Sequence, residues 1–147
     1  LAVQKTYPSW GWWIENGATT LLENWDLNAT RDISDNHMMF GEIGAWFYKG
    51  IGGIFPDPQQ PGFKHIILRP NFPVELDDFK AQHQSPYGLI TSEWRREGKK
   101  LNYKVVIPPN TTATLYLPYA IKGKKEIRLK AGIYQFELEE KISSEIL

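Results

Sequence analysis

The chain has 147 residues, and its 17 Lys and Arg side chains are balanced by 17 Asp and Glu, so the formal net charge is zero. This neutral balance gives no electrostatic case for a nucleic-acid partner or for an anionic membrane surface. No apolar run reaches the roughly 18 residues of a spanning helix, so we expect no membrane segment. Cysteine is absent, which excludes disulfides and thiolate sites and leaves the redox compartment open.

Charge is divided unevenly along the chain. Residues 1–55 carry three basic and six acidic groups, a net charge of −3, whereas the remainder carries 14 basic and 11 acidic groups, a net charge of +3. We therefore predict two units, residues 1–55 and residues 56–147, joined at the proline-rich stretch 56–62. The sequence starts without Met, and Leu1–Thr6 suits the tail of a helix, so a piece of a larger protein is the simplest interpretation.

A short helix is predicted near the start of the first unit. Pro8 or Ser9 opens it, Trp10–Glu15 form its body, and Asn16-Gly17 is a typical left-handed stop. The following segment, Ala18–Asn28, mixes β-branched, polar and aromatic residues. We expect that segment to be an ordered loop.

A second helix is predicted over residues 35–50, with Asp32 or Ser34 as its N-cap. Apolar side chains cover nearly its whole circumference. A helix of this kind is buried, yet the first unit does not supply enough neighbouring helices to bury it. We therefore expect further helices to pack against it.

The second unit has the pattern of a β-sandwich. Seven short strands recur at a spacing of about ten residues, which is typical of antiparallel sandwiches. Leu101, Tyr103, Val105 and Ile107 alternate and should share one face, and Pro108-Pro109-Asn110 should turn the chain. The predicted strands span residues 65–68, 76–85, 88–97, 101–107, 112–117, 125–129 and 132–138.

Tryptophans lie beside carboxylates in the first unit. Aromatic rings stack on the apolar faces of sugars and carboxylates bind sugar hydroxyls, and a glycosidase needs a pair of carboxylates. The alternative is that the tryptophans pack helices while the acids cap them or face solvent. The residues concerned are Trp10, Trp12, Trp13, Trp25, Glu15, Glu23, Asp26, Asp32 and Asp35.

Histidine spacing gives no metal site. His37, His65 and His83 are far apart and lack short ligand spacing, and His37 by itself is either a core residue or a binding residue. No phosphate-binding loop, dinucleotide-binding glycine pattern or nucleophile elbow is present. We therefore predict no metal and no cofactor.

Two sequence blocks carry a family resemblance. The stretch Tyr7–Asp26, with Gly17-Ala18-Thr19-Thr20 at its centre, resembles a signature of the bacterial α-L-rhamnosidases, glycoside hydrolase family 78. The block Asp35–Tyr48, with its Asn36-His37 pair, is similar to the family's second block, and Gly52–Ile54 to its close. The β half resembles the C-terminal sandwich that follows the catalytic barrel in this family.

The resemblance implies an α+β chain, with the last helices of an (α/α)6 barrel followed by an antiparallel β-sandwich. It implies an inverting hydrolase in which Glu23 is the general base and His37 binds the sugar, with Trp13 and Trp25 as candidate walls. The general acid would lie in an earlier segment, so these residues alone should be inactive. The implied partners are a rhamnose-containing carbohydrate and the remainder of the barrel.

Some features keep other interpretations open. The family commonly has Trp at the position of Leu22, and the spacing from Glu23 to His37 looks short for the family. Glu23 has a purely structural alternative, as a hydrogen-bond acceptor for the backbone of Thr19 or Thr20. At the level of function, the alternatives are a carbohydrate-binding sandwich without catalysis and a six-hairpin glycosidase of other specificity.

Overall fold

The computed structural model describes residues 4–121 and 124–139. The chain divides into two compact units, Leu1–Ala45 and Trp46–Leu147. The start of the predicted helical tail, residues 1–3, and the end of the predicted β domain, residues 140–147, lie outside the described residues.

Helix α1 spans Trp10–Glu15 and confirms the first predicted helix. Ser9 is its N-cap, because the Ser9 hydroxyl accepts the Trp12 amide hydrogen at 2.9 Å and satisfies one of the free donors of the first turn. Gly17, with φ of 87°, follows the helix in the left-handed conformation that glycine adopts without strain. The predicted helical tail is wrong at residues 4–6, which are irregular.

The second helical segment begins at Met38 and changes type along its length. It comprises a 3₁₀ helix, Met38–Glu42, the α-helix α2, Ile43–Trp46, and a π-helical turn, Phe47–Ile51. The predicted helix over 35–50 therefore has the right place. The predicted caps are wrong, because the N-cap residue is His37 and its side chain makes no capping hydrogen bond.

The expected burial of this segment is not provided by the described residues. Among residues 38–51, Ile51 is the buried hydrophobic side chain, while Met38 is 86% exposed and Trp46 is 50% exposed. Within the part of the chain that the structure describes, no helix is long and apolar enough to cross a membrane.

Six strands form one mixed sheet in the order β1-β2-β5-β4-β3, and β6 pairs with β5. The β2–β5 pair is parallel and the other pairs are antiparallel, so the predicted wholly antiparallel arrangement is wrong at this pair. The strands are β1 Ile54–Pro56, β2 His65–Leu68, β3 Asp78–Ser85, β4 Gly88–Glu97, β5 Lys100–Ile121 and β6 Lys124–Glu139.

Two of these strands are longer than predicted. The predicted turn at Pro108-Pro109-Asn110 is instead an irregularity inside β5, where the register with β6 jumps from Ile107 to Thr112. Two prolines remove two backbone donors from the ladder and so interrupt the pairing, but the chain continues in the same strand. The last two predicted strands are likewise the continuous β6, and the short β1 was not predicted.

The core of the second unit lies on one face of these strands. Leu101, Tyr103, Val105 and Ile107 are each at most 2% exposed, which confirms their predicted common face. The buried hydrophobic cluster draws residues from all six strands. The long β5 is central to it, because residues 101–106 pair with β4 and residues 112–115 pair with β2.

The segment that leads into β1 is held by the β strands and the loop after β2. Each backbone carbonyl of residues 50–53 accepts a hydrogen bond, in turn from the Asn71 side chain (2.6 Å), the Asn71 amide (3.1 Å), the Ser92 hydroxyl (2.7 Å) and the Arg69 amide (2.8 Å). The Ser92 hydroxyl also lies 3.0 Å from the Tyr103 hydroxyl, and both side chains are buried. This segment therefore has a fixed path in the second unit.

Candidate functional site

Glu23 and His37 are brought together by a paired loop. The Glu23 amide donates to the Ser34 carbonyl at 3.0 Å, and the His37 amide donates to the Leu21 carbonyl at 2.8 Å. Two hydrogen bonds thus align residues 21–23 with residues 34–37. The loop needs them, because no regular helix or strand spans these positions.

The two oxygens of the Glu23 carboxylate have different surroundings. Oε2 accepts the Ser34 backbone N–H at 3.1 Å, whereas Oε1 lies 3.6 Å from Nδ1 of His37. The second distance is too long for a hydrogen bond, but it is within ion-pair range. The side chains are 27% and 37% exposed for Glu23 and His37 respectively, so the carboxylate is fixed at one oxygen and accessible at the other.

The structural alternative for Glu23 has a different partner from the one expected. The carboxylate is anchored by Ser34, not by the backbone of Thr19 or Thr20. Thr20 instead donates its hydroxyl hydrogen to the Asp35 carbonyl. These two contacts join Thr20 and Glu23 to residues 34–35, just before His37. They hold the carboxylate through Oε2 and leave Oε1 available.

The tryptophans of the site form a compact aromatic cluster. Trp13 and Trp25 stack with centroids 4.3 Å apart, and Phe40 lies 4.6 Å from Trp25 and 5.5 Å from Trp13. Trp10 meets Trp25 edge-on at 5.3 Å. Such pairs contribute about 0.5–1.5 kcal/mol each beyond their buried area, so the cluster is the main packing element of the first unit.

Trp13 and Trp25 occupy different depths in this cluster. Trp13 is 2% exposed, and its Nε1 donates to the Trp25 carbonyl at 3.3 Å. Trp25 is half-buried. The ring of Trp13 therefore packs behind Trp25, and Trp25 is the one of the two that remains accessible.

A cavity of about 190 Å³ lies along the same loop. Leu22 and Ser34 line it together with acidic and amide side chains, and neither Glu23 nor His37 belongs to its lining. Leu22, where the resemblance predicts Trp, therefore belongs to the wall of this cavity.

Sequence reasoning missed two residues of this arrangement. Ser34 lies eleven residues beyond Glu23, and no local pattern indicates that its amide would meet a carboxylate. Phe40 belongs to the predicted apolar helix, but its contact with two tryptophans depends on the loop path. Across residues 4–121 and 124–139, no group of three or more His, Asp or Glu side chains has the geometry of a metal site.

Family comparisons assign both halves of the chain. Residues 1–51 match the family model described as the bacterial alpha-L-rhamnosidase 6 hairpin glycosidase domain. Residues 53–131 match the one described as the bacterial alpha-L-rhamnosidase C-terminal domain. A curated alpha-L-rhamnosidase of Formosa agariphila is 38% identical over 125 residues, which cover 80% of the chain.

Solved structures give the same result. The alpha-L-rhamnosidase of Dictyoglumus thermophilum superposes with a TM-score of 0.82 at 31% identity over 95% of the chain. The Streptomyces avermitilis alpha-L-rhamnosidase, solved with L-rhamnose, gives 0.77 at 26% identity over 93%. The chain spans 13% of the Formosa relative, and 18% and 15% of these two structures.

Proposed function

Because the chain belongs to the bacterial α-L-rhamnosidase family, we propose that it is part of an inverting glycoside hydrolase that removes terminal α-L-rhamnose from glycans or glycosides. The observation that carries this proposal is the Glu23 carboxylate. One of its oxygens is anchored to the Ser34 amide, and the other is open beside His37.

The proposed architecture follows the same assignment. In this proposal residues 1–55 contain the closing helices of an (α/α)6 barrel and the first two residues of β1, and residues 56–147 form the rest of the C-terminal β-sandwich. The exposed apolar side chains of residues 38–48 support the first part, because further barrel helices would cover them. The long β5 supports the second, since its two ends pair with different strands and can therefore belong to two layers.

Glu23 acts as the general base in this proposal. Oε1 takes a proton from a water molecule, and the water oxygen attacks the anomeric carbon from the face opposite the leaving oxygen. A general acid, supplied by a part of the barrel outside these residues, protonates the leaving oxygen at the same time. The two carboxyl groups of an inverting enzyme stand about 6.5–9.5 Å apart to make room for that water.

His37 and the tryptophans bind the sugar in this proposal. With Nδ1 turned toward Glu23, Nε2 is the ring nitrogen left for a sugar hydroxyl. The hydrogen bond from the His37 backbone amide to the Leu21 carbonyl fixes the backbone position from which the ring projects. Trp25 is a wall against the apolar face of the sugar, and Trp13 contributes by holding Trp25 in place.

Hydrolysis of an aryl α-L-rhamnoside tests the base. In the protein that carries this chain together with the rest of the barrel, Glu23→Gln should lower kcat by about 10²–10⁴, the range of general base catalysis. Glu15→Gln is the matched control, since Glu15 is an exposed carboxylate paired with Lys5 at 2.7 Å. A loss below about tenfold for Glu23→Gln would contradict the assignment.

His37→Ala separates binding from chemistry. Loss of a sugar contact should raise KM more than it lowers kcat.

A panel of other aryl glycosides tests the specificity in the same assay. If a glycoside other than the α-L-rhamnoside is hydrolysed faster, the protein is a six-hairpin glycosidase of other specificity, and the assignment of rhamnose as its substrate is rejected.

A further inference from the structure

A second cavity, of about 370 Å³, lies on the second unit. Its volume falls in the range of small-molecule sites. The turn Asp57–Gln60, which follows β1, forms one side, and strands β2, β5 and β6 form the floor. All of its lining residues belong to the second unit, so the cavity contains no part of the Glu23 loop.

Strand register explains why the floor is polar. Ile67, Thr114 and Arg128 are direct cross-strand neighbours, and Tyr116 and Glu126 form the next row. The intervening residues of the three strands point the other way, and Ile66, Leu115 and Leu129 among them are buried. The cavity therefore lies on the face of the sheet opposite the core.

Two side chains of the cavity are fixed in place. The ring nitrogens of His65 lie 2.6 Å and 2.9 Å from the hydroxyls of Thr112 and Thr114, so the imidazole is held along β5. The guanidinium of Arg69 lies over the Tyr116 ring, 4.7 Å from its centroid. A site whose walls are already ordered loses less entropy when it binds a ligand.

Other polar side chains of the cavity are available to form hydrogen bonds with a ligand. The side chains of Glu126 and Arg128 form no hydrogen bond or ion pair with the side chains that the structure describes within residues 4–118 and 125–139. Asp57 uses one oxygen for the Gln59 amide at 2.9 Å, which leaves its other oxygen open. The cavity thus offers charged acceptors and a charged donor around a half-buried tyrosine ring.

From this arrangement we infer that the cavity is an accessory binding site for a pyranose ring of a neutral saccharide. Sugar hydroxyls both donate to carboxylates and accept from a guanidinium, which fits Asp57, Glu126 and Arg128. Ile67 provides apolar surface for the ring, and Tyr116, which is held by Arg69, lines the cavity beside it. The carboxylates of Asp57 and Glu126 disfavour an anionic ligand, because they outnumber the Arg128 guanidinium among the described side chains that line the cavity.

Titration of the 147-residue chain, followed by ¹H–¹⁵N NMR, tests the inference. The probes are L-rhamnose, whose choice rests on the proposed function, and D-glucose, whose choice does not. We expect saturable shifts at residues 57–60 and 112–116 with at least one of these sugars. Arg128→Gln should raise Kd about tenfold or more, because a hydrogen bond from a charged group is lost.

Two variants control this titration. Lys130→Gln removes a charge from an exposed position on the same strand but outside the cavity, and its Kd should equal that of the parent. Glu23→Gln should also leave the shifts unchanged, which separates this site from the proposed catalytic one. The inference is overturned if neither sugar saturates the shifts, if Arg128→Gln binds as tightly as the parent, or if Glu23→Gln abolishes binding.

Discussion

The two units differ in how deeply they bury their side chains. In residues 4–45 only Ser9 and Trp13 are buried, whereas the hydrophobic cluster of the second unit runs through all six strands. Glu23 and His37 belong to the first unit, on a loop held by backbone hydrogen bonds and an aromatic cluster. Binding loops are commonly found among the less stable parts of a fold. The sheet therefore supplies the stability, and the loop carries the proposed chemistry.

The largest expected effect is in the sheet core. Leu115 is fully buried in β5, so Leu115→Ala should lower the free energy of unfolding by about 2–5 kcal/mol through lost burial and a cavity. Leu89→Ala is the matched control, because Leu89 lies in β4 and is 42% exposed. Denaturant unfolding measures both. Equal losses at the two positions would remove the distinction between core and surface in this unit.

Gly53 tests the entry to the sheet. It has φ of 67°, and a Cβ there would clash with the Arg69 carbonyl group. Gly53→Ala should destabilise the second unit by about 2–4 kcal/mol, from backbone strain plus the clash. Gly62→Ala is the control, since Gly62 has φ of 73° but open space around it. A larger loss of unfolding free energy at Gly62 than at Gly53 would rule out the close approach.

Tyr103 gives the sheet a pH dependence. Burial raises the pKa of the Tyr103 hydroxyl well above its ordinary value, and the hydrogen bond with Ser92 offsets part of the rise. A raised folded-state pKa stabilises the fold below the unfolded value, near pH 10, and this contribution declines as pH rises above it. Stability should therefore fall by about 1.4 kcal/mol per pH unit there.

Tyr103→Phe isolates that dependence. It keeps the ring in the core and removes the titrating group, so its unfolding free energy should decline less between about pH 10 and pH 12. Denaturant unfolding across this range measures it. If the unfolding free energy of the variant declines with pH as steeply as that of the parent, groups other than Tyr103 cause the loss of stability at alkaline pH.

The smallest effect on global stability is expected at the loop. Phe40 packs on Trp25 and Trp13, so Phe40→Ala should change tryptophan fluorescence and loosen the 21–37 pairing. Unfolding of the sheet, followed by far-ultraviolet circular dichroism, should keep the parental midpoint. A large shift of that midpoint would show that the loop and the sheet unfold together, which contradicts the difference in stability between the two units.

Local sequence patterns predicted the structural features that depend only on residues close together in the chain. The helix start at Pro8 or Ser9, the stop at Asn16-Gly17 and the common face from Leu101 to Ile107 follow from short-range geometry, and the structure confirms them with Ser9 as the cap. The resemblance, not the spacing, selected Glu23 and His37. Their roles remain proposals.

Long-range pairing was the part that the sequence did not reveal. The parallel β2–β5 pair depends on a connection of more than forty residues. The anchoring of Glu23 by Ser34 depends on the path of an irregular loop. The two prolines at 108 and 109 predicted a turn, yet strand β5 passes through them because its neighbours pair with it on both sides of the break.

The anomeric configuration of the first product tests the central claim, that Glu23 activates water. The protein that carries this chain together with the rest of the barrel would hydrolyse an aryl α-L-rhamnoside in an NMR tube. The ¹H spectra would be recorded before the released rhamnose mutarotates. Direct attack by water on the anomeric carbon predicts β-L-rhamnose as the first signal. If α-L-rhamnose appeared first, a covalent intermediate would be required, and the role of Glu23 as the base of an inverting reaction would be contradicted.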